Sequence, residues 1–301
     1  MEKNGYIVIP NILSSDECKI YQEQIWDELK YVSNNEFDYY NESTWPNYEL
    51  FNPKYSMLLH QNSLGHMQAI WNLRQHPSIY GVFEKLYNVS VDELLVSFDG
   101  LAILLPPEKT NKQFIENDNF EWFHTDQSSK KLDRHCIQSM ITLYDIEEGD
   151  STLNVLEGSH LYHQSFFADN NIVNNSDWYL LKDNEKDYFL NKNCTNKKIV
   201  AKAGSLILWD SRLIHQAIKP SITRPNQNTR MVIYICMMPR YTITFNNKKI
   251  LKLKQKAFNK LRITNHWANS VFLFPKQINN NLNSIHQPIL NNIGKRLAGF
   301  D

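Results

Sequence analysis

The sequence predicts a mainly β fold, an antiparallel sandwich or barrel with flanking helices, and two patterns support this prediction. From Leu94 onward, short runs rich in β-branched and aromatic residues are separated by turn residues, with few helical patterns between them. Such a succession favours antiparallel pairing. Before Leu94, apolar residues recur instead at helical spacing. The predicted strands cover residues 6–9, 94–105, 120–125, 136–145, 152–156, 198–201, 205–209, 213–218 and 230–238.

Two helices are expected in the N-terminal part. Ser14 and Glu17 form an S-x-x-E capping box, in which each side chain can satisfy a free backbone N–H group, and this helix is expected to end near Leu29. The second helix follows His76, with Pro77 near its first position. Its apolar residues recur at positions i, i+3, i+4 and i+7, and they are Ile79, Val82, Phe83 and Leu86.

A third helix is predicted in the C-terminal part, from about residue 246. One face is apolar and comprises Ile250, Leu253, Ala257 and Leu261. The other face carries six lysines, Lys248, Lys249, Lys252, Lys254, Lys256 and Lys260. We interpret this basic face as a solvated surface rather than as a site for a polyanion.

Composition excludes several classes of protein. The 301 residues include 32 Lys and Arg against 32 Asp and Glu, and this zero net charge argues against a nucleic-acid partner. No apolar run approaches the roughly 20 residues that a membrane span requires. The apolar start is too short for a signal-peptide core, which predicts a cytoplasmic protein. The four scattered cysteines form no C-x-x-C pair, so neither a zinc knuckle nor a disulfide framework is indicated.

The pattern along the chain predicts a single domain covering residues 1–301. Helical support at about 1–90 precedes a β core at about 91–240, and an extension follows at 241–301. A polar, Asn- and Asp-rich excursion at about 161–197 interrupts the core. Because loops of this length are often functional or mobile, we expect the excursion, together with about residues 31–75, to shape the entrance to a site.

Three residues predict a metal centre. His124 and Asp126 are two positions apart, a spacing that places both side chains on one side of a strand. Farther along, His215 follows an apolar run that begins after the turn residue Gly204. An isolated H-x-D pair is more often structural, but two histidines and one carboxylate together form the ligand set of non-haem Fe(II) oxygenases. We expect His215 to reach the metal from a strand that faces the first across the mouth of a barrel.

Arg230 is the candidate binding residue for an anion. It opens the apolar strand at 230–238, so its side chain can be directed into the core. A buried guanidinium group requires an anion, and its planar shape suits a carboxylate bound through two hydrogen bonds.

These motifs, in this order, resemble the phytanoyl-CoA dioxygenase family of Fe(II)/2-oxoglutarate-dependent oxygenases. The likeness extends from about residue 5 to 240. It includes the opening strand and capped helix, the His124-Thr125-Asp126 segment, the Gly158-Ser159-His160 turn, the segment from Gly204 to His215, and the strand from Arg230.

The resemblance implies a fold, a reaction and a set of roles. The fold would be a double-stranded β-helix (a cupin-like jelly roll) buttressed by N-terminal helices, and the single domain would be an oxygenase domain. His124, Asp126 and His215 would be the iron ligands, and Arg230 would bind the distal carboxylate of 2-oxoglutarate. The reaction would convert 2-oxoglutarate to succinate and CO2 while a substrate is hydroxylated, with ascorbate considered as an accessory reductant.

The sequence departs from the family pattern around the cosubstrate. Ala217 stands where the family often has a serine or threonine two residues after the distal histidine. Arg230 follows His215 by fifteen residues, where ten to twelve are usual, and Arg224 is therefore a rival for its role.

Each of several other residues near the motifs has both a functional and a structural interpretation. Gln138 could contact the cosubstrate or the substrate, and a structural amide is about as expected. Trp209, Asp210 and Arg212 could support the metal ligands, although core packing and a local ion pair account for them equally simply. Arg74 and Asp99 are considered for a substrate pocket or for structural pairing, and these alternatives are left open.

The leading hypothesis is a hydroxylase that acts on a small molecule or a polymer side chain. Desaturation and epimerisation use the same metal site, whereas Asp126 argues against halogenation because a halide needs the position that this carboxylate fills. A non-catalytic ligand-binding protein is the alternative from another class, motivated by Ala217 and by the shifted arginine. The sequence identifies neither the substrate nor an oligomeric state.

Overall fold

The computed structural model describes residues 1–110, 121–243, 247–275 and 279–300, and within these ranges it contains thirteen strands and eight α-helices. The strands are β1 Tyr6–Ile9, β2 Leu58–Leu59, β3 Leu94–Val96, β4 Leu101–Leu104, β5 His124–Thr125, β6 Ile137–Thr142, β7 Thr152–Glu157, β8 Tyr179–Leu180, β9 Thr195–Lys198, β10 Leu206–Asp210, β11 His215–Ile218, β12 Arg230–Tyr234 and β13 Met237–Pro239. The helices are α1 Ser15–Val32, α2 Gln68–Arg74, α3 Pro77–Tyr87, α4 Pro107–Thr110, α5 His163–Asp169, α6 Lys186–Leu190, α7 Asn247–Asn259 and α8 Asn292–Leu297.

Antiparallel pairing joins the strands into two main sheets. The first has the order β1-β10-β6-β12-β4-β2 and the second the order β8-β5-β11-β7-β9, while β13 and β3 form a separate pair. One apolar cluster contains Met140 and Val232 of the first sheet and Leu153 and Val155 of the second. The two sheets therefore pack face to face. This arrangement is the double-stranded β-helix, and the predicted mainly β fold with flanking helices is confirmed.

Side-chain alternation along β12 directs residues to the two faces of the first sheet. Met231 and Ile233 pack with apolar side chains of α1, α2 and α3. Val232 packs toward the second sheet instead. Because successive side chains of a strand point to opposite faces, Arg230 and Tyr234 share the inner face with Val232. The helices thus cover one face of the sheet and leave the other for a cavity.

The excursion at 161–197 covers the outer face of the second sheet. Phe166, Phe167 and Phe189 form an apolar cluster with Leu156 and Ile214. Within the excursion, β8 pairs with β5, the two-residue strand that carries His124 of the H-x-D motif. The excursion is therefore folded against the sheet through its aromatic residues, and it supports β5 from the side.

The helix starts follow their sequence signals. Ser14 Oγ accepts a hydrogen bond from the Glu17 N–H (3.2 Å), and Glu17 Oε2 accepts one from the Ser14 N–H (2.7 Å), so the predicted capping box is confirmed. Helix α3 begins at Pro77, as expected. None of the helices in the described ranges is long and apolar enough to cross a membrane.

Two predicted strands are interrupted. The strand expected at 94–105 divides into β3 and β4, and the one at 230–238 divides into β12 and β13. In the first break, the Phe98 N–H donates to Thr264 Oγ1 (3.0 Å), and the Asp99 carbonyl accepts from Arg74 Nη2 (2.7 Å). These backbone groups bond to side chains and not to a neighbouring strand. Residue 120, where another strand was expected to begin, and residue 246, where the tail helix was expected to begin, lie outside the described residues.

The prediction that all six lysines of the tail helix lie on a solvated face is wrong for Lys254. Lys254 in α7 is fully buried, whereas Leu253 is 38% exposed. The Lys254 ammonium group donates to the Val96 carbonyl (2.8 Å) and lies 4.4 Å from the centre of the Phe98 ring. Burial, followed by the nearby positive charge of Arg74, lowers the pKa of Lys254 to about 7.

Lys254→Met should change how stability depends on pH. The folded chain favours the neutral amine because its pKa is depressed to about 7, whereas the unfolded chain keeps the ordinary value near 10.5. Between these values the unfolded chain binds more protons, so the native protein gains stability as pH rises. Between pH 6.5 and 8.5, the free energy of unfolding of the native protein should rise by about 2 kcal/mol relative to that of Lys254→Met, as measured by urea unfolding. A pH-independent difference between the two proteins would contradict this.

Candidate metal centre and cavity

His124, Asp126 and His215 lie together on the wall of one cavity. Each offers one ligand atom, and these atoms all lie within 4.8 Å of one another. Asp126 Oδ2 is 3.3 Å from His215 Nε2 and 3.6 Å from His124 Nε2. The three residues are between 4% and 9% exposed. Two imidazole nitrogens and one carboxylate form a donor set that suits Fe(II) and leaves further coordination positions open.

The two histidines come from neighbouring strands. His124 of β5 and His215 of β11 are directly paired in the antiparallel register. The expectation that His215 faces the H-x-D motif across the mouth of a barrel is therefore wrong. Residues opposite each other on adjacent strands have closely spaced side chains on the same face, which accounts for the convergence. Asp126 lies just past the end of β5, in a bend.

Contacts to Ser211 hold the H-x-D segment in place. The Asp126 N–H and the Thr125 hydroxyl both donate to the Ser211 carbonyl, each at 3.0 Å. Gln127 Oε1 accepts from the Ser211 hydroxyl at 2.8 Å. Because Ser211 lies in the turn that leads into β11, these bonds fix the position of Asp126 relative to His215.

Each histidine is oriented by a backbone carbonyl. His124 Nδ1 lies 3.1 Å from the Trp122 carbonyl, and His215 Nδ1 lies 2.9 Å from the Leu213 carbonyl. A carbonyl oxygen only accepts hydrogen bonds, so Nδ1 carries the proton in each ring. The Nε2 lone pairs are then available to a metal ion, as in other metal sites with oriented histidines. Trp122 also stacks on His124, with ring centres 4.8 Å apart.

The electrostatics favour the ligand forms of these groups. Burial opposes ionisation of Asp126, but the neighbouring His124 and His215 outweigh it, and its pKa lies well below the usual range. Burial, together with the neighbouring His124, lowers the pKa of His215. An ionised carboxylate and a neutral imidazole are the forms that bind metal.

The cavity has a volume of about 870 Å³, a size typical of small-molecule sites. Its walls combine separate parts of the chain, namely residues from 54 to 60, from 176 to 178 and from 265 to 274, together with the inner faces of the sheets. The segment 31–75 and the excursion therefore both contribute to the cavity wall, while their role at the entrance stays a prediction. The C-terminal extension contributes as well, which the sequence did not indicate.

Arg230 lines the cavity and has no anionic partner among the described residues. The residue is 4% exposed. Its guanidinium Nη1 lies 2.9 Å from Met57 Sδ and its Nη2 3.9 Å from Met140 Sδ, and Tyr234 also hydrogen bonds to it. Burial lowers the pKa of Arg230, partly offset by Tyr234. Sulfur atoms and a phenol do not neutralise a buried cation, so the arginine is arranged for an anion that enters from the cavity.

Arg224, the rival candidate, lies in a different environment. It pairs with Glu108 (2.8 Å) and Asp150 (3.2 Å) and does not line the cavity. Its charge is already compensated within the protein.

The remaining candidate residues are divided between the site and its surroundings. Gln138 Nε2 donates to Asp126 Oδ2 at 2.9 Å, so this amide holds the carboxylate while also lining the cavity. Trp209 lines the cavity with its ring centre 5.6 Å from that of His215. Asp210 and Arg212 pair with each other at 2.8 Å, which is the local ion pair already considered.

Two histidines of the cavity were not singled out from the sequence. His60 lies 3.3 Å from Asp99 Oδ1, and both line the cavity. His266 also lines it, close enough to Asp126 to favour its ionised form. Arg74 lies behind Asp99 and does not line the cavity. No spacing pattern connects residues 60, 99 and 266, and only the fold brings them together.

Comparison with known proteins assigns the family. The family model described as "Phytanoyl-CoA dioxygenase (PhyH)" matches residues 1–220. The chain is 28% identical over 266 residues to the Ava biosynthesis cluster protein O of Aspergillus versicolor, covering 85% of this chain and 80% of that protein. It is 23% identical over 277 residues to a putative phytanoyl-CoA dioxygenase of Dictyostelium discoideum, covering 80% and 74% respectively. The crystal structure of GlcNAc Inducible Gene 2 from Candida albicans superimposes with a TM-score of 0.60 at 15% identity, covering all of this chain and 75% of that one, and supports the fold. With the family model matching most of its length, this chain belongs to the phytanoyl-CoA dioxygenase family.

Proposed function

We propose that the protein is an Fe(II)- and 2-oxoglutarate-dependent dioxygenase that hydroxylates an organic substrate and releases succinate and CO2. The observation that carries this proposal is one cavity that contains both a complete ligand triad and a buried arginine without an anion. Family membership supports a dioxygenase-type function. Hydroxylation is proposed ahead of desaturation and epimerisation, which use the same metal site, because it is the leading hypothesis from the sequence.

The donor set fits iron. His124 and His215 would offer Nε2, and Asp126 would offer a carboxylate oxygen, while Arg230 would bind the distal carboxylate of 2-oxoglutarate. With both groups bound, the chemistry supplied at the site is oxidative decarboxylation of the cosubstrate coupled to transfer of one oxygen atom to the substrate.

The residues of the chain bind, orient and exclude water. Gln138 holds one oxygen of Asp126, so the carboxylate cannot rotate freely. Met57 and Met140 contact the guanidinium of Arg230, and the residue is almost fully buried. In this drier environment, a charge-assisted pair between Arg230 and a carboxylate is stronger than it would be in water.

We also propose that residues 1–301 act as one oxygenase domain, comprising helical support at about 1–90, the core with its 161–197 insertion, and the 241–301 extension. The cavity supports this proposal, because its wall includes residues of the N-terminal part, the core, the insertion and the extension.

Uncoupled turnover tests the proposed function without knowledge of the substrate. The purified protein with Fe(II), ascorbate and 2-oxoglutarate carrying labelled carbon at C1 should release labelled CO2 and form succinate. Release should require oxygen and should stop when a chelator removes the metal. The proposal would be contradicted by a protein that fails to bind Mn(II) and 2-oxoglutarate in calorimetry.

Ala217 favours one alternative, a ligand-binding protein without turnover. Ala217 lines the cavity and supplies no hydroxyl group for the cosubstrate. If this alternative is correct, calorimetry with Mn(II) shows no binding of 2-oxoglutarate, and neither labelled CO2 nor succinate appears with Fe(II).

A further inference from the structure

We propose that the substrate combines a flat apolar ring system with a positively charged nitrogen, and that Asp99 binds this nitrogen. The inference rests on the proposed function, because it assigns a substrate class to the same cavity. Asp99 has no part in binding iron or 2-oxoglutarate as described above.

Asp99 presents an incompletely satisfied carboxylate to the cavity. The residue is 7% exposed and lines the cavity wall. Its Oδ1 accepts a hydrogen bond from the Gly100 N–H at 2.7 Å. His60 Nε2 lies 3.3 Å from the same oxygen, but it is poorly aligned and has no hydrogen-bond partner among the described residues. For Oδ2, the described residues provide no partner. This oxygen is therefore available to a donor or a cation that binds in the cavity.

Contacts to its backbone, on the side away from the cavity, fix the position of Asp99. Arg74, fully buried, donates to the Asp99 carbonyl at 2.7 Å and to the Gly65 carbonyl at 2.8 Å. Both neighbouring glycines are needed for this packing. A Cβ at Gly65 would collide with the Asp99 carbonyl, and one at Gly100 would collide with the Leu59 carbonyl. The carboxylate is therefore held rigidly at the cavity wall, as a binding residue must be.

The charges that bind iron and 2-oxoglutarate balance without Asp99. Two positive charges on iron and one on Arg230 equal the single negative charge of Asp126 plus the two of 2-oxoglutarate. Asp177, the other carboxylate of the cavity wall, is paired with Lys131 at 2.7 Å. Among the described residues, no lysine or arginine pairs with the Asp99 carboxylate: Lys54 of the cavity wall lies over the Tyr55 ring, and the buried Arg74 bonds to the Asp99 carbonyl. A neutral hydroxyl group would satisfy Oδ2 as a hydrogen-bond acceptor, but only a cation would also pair directly with the charge of this carboxylate.

The cavity also presents unusually large aromatic surfaces. Besides Trp209 and Tyr234, six aromatic rings of the described residues line it, namely Tyr55, Trp122, Trp178, Trp267, Phe272 and Phe274. Three of these, Tyr55, Trp178 and Phe272, are 51%, 47% and 61% exposed. Tyr55 already stacks on Trp122 and lies under the Lys54 ammonium group, whereas Trp178 and Phe272 offer exposed aromatic surface to a ligand. The ring of Phe274 stacks on His60, with centres 4.7 Å apart, and this places an aromatic surface beside Asp99. Aromatic rings next to a carboxylate attract both flat ring systems and organic cations.

A matched pair of probes tests the inference. 2-Naphthylmethylamine and 2-naphthalenemethanol share the ring system and differ in the charge of the terminal group. Each is titrated by calorimetry into the protein loaded with Mn(II) and 2-oxoglutarate at pH 8. The amine should bind at least about tenfold more tightly than the alcohol, because the bond to Asp99 is charge-assisted. Equal affinity, tighter binding of the alcohol, or no binding of either probe overturns the inference.

Two isosteric variants test whether Asp99 causes the preference for the amine over the alcohol. Asp99→Asn should remove the preference for the amine and leave the affinity for Mn(II) and 2-oxoglutarate unchanged, whereas Asp177→Asn should retain the preference. An amine preference that persists in Asp99→Asn contradicts the assignment. Release of labelled CO2 from 2-oxoglutarate is measured separately on the native protein. Its absence would count against the proposed function, while the probe preference would still decide the role of Asp99.

Discussion

Asp126→Ala should abolish metal-dependent decarboxylation of 2-oxoglutarate. The carboxylate is the one anionic ligand of the triad, and its Oδ2 lies within 3.6 Å of both histidine Nε2 atoms. Loss of an outer hydrogen-bond partner of a metal ligand typically costs 10- to 100-fold in affinity or activity. Loss of the ligand itself should therefore exceed roughly 100-fold. The measurements are Mn(II) affinity by calorimetry and succinate formation with Fe(II).

A graded series separates ligand loss from misfolding. Gln138→Leu removes the bond to Asp126 Oδ2 but no ligand, so it should lower Mn(II) affinity by about 10- to 100-fold. Asp177→Asn changes a cavity carboxylate that is already paired with Lys131 and should leave Mn(II) affinity intact. If Asp126→Ala remains folded and still supports native levels of succinate formation, the triad is not the metal centre.

Arg230→Met should stabilise the protein in the absence of 2-oxoglutarate and nearly abolish cosubstrate binding. The native guanidinium is buried against Met57 and Met140 without an anion, and such a charge costs free energy in the empty cavity. Replacement by a side chain of similar length and low polarity should raise the free energy of unfolding by about 1–3 kcal/mol. The same change should weaken 2-oxoglutarate binding by roughly 100-fold or more, because the carboxylate would lose a buried charge partner.

Arg224→Met is the matched control. Arg224 is also buried, but it pairs with Glu108 and Asp150, so its loss leaves two carboxylates without their partner. This variant should be destabilised and should bind 2-oxoglutarate as the native protein does. Urea unfolding and calorimetry with Mn(II) measure both properties. The reverse outcome, with cosubstrate affinity lost only in Arg224→Met, would transfer the cosubstrate role to Arg224.

Local sequence patterns predicted much of the fold. The capping box at Ser14 and Glu17 and the proline at the start of α3 are signals that operate within a few residues, and both were read correctly. The strand breaks were missed because they depend on distant partners, such as Arg74 for the Asp99 carbonyl. Lys254 was misplaced for the same reason. Its helix position alone does not reveal that Val96 and Phe98 lie against it.

The candidate site was predictable as a set of residues but not as a geometry. His124, Asp126 and His215 were singled out by residue type, spacing and context. The direct pairing of β5 with β11 depends on the register of strands that are far apart in the sequence, which no local pattern encodes. Asp99 was left between two roles, and His60 was not singled out, because the contact between them joins loops from different parts of the chain.

The direct pairing of His124 with His215 also ties metal affinity to the folding reaction. A slip of one residue between β5 and β11 would turn one imidazole to the opposite side of the sheet and destroy the site. Bringing these strands together closes a long chain loop, whose entropic cost opposes early formation of the pair. Metal uptake during refolding should therefore report a late step, the correct register of this strand pair. Excess metal should in turn favour the native chain by mass action, since the unfolded chain lacks the assembled ligands.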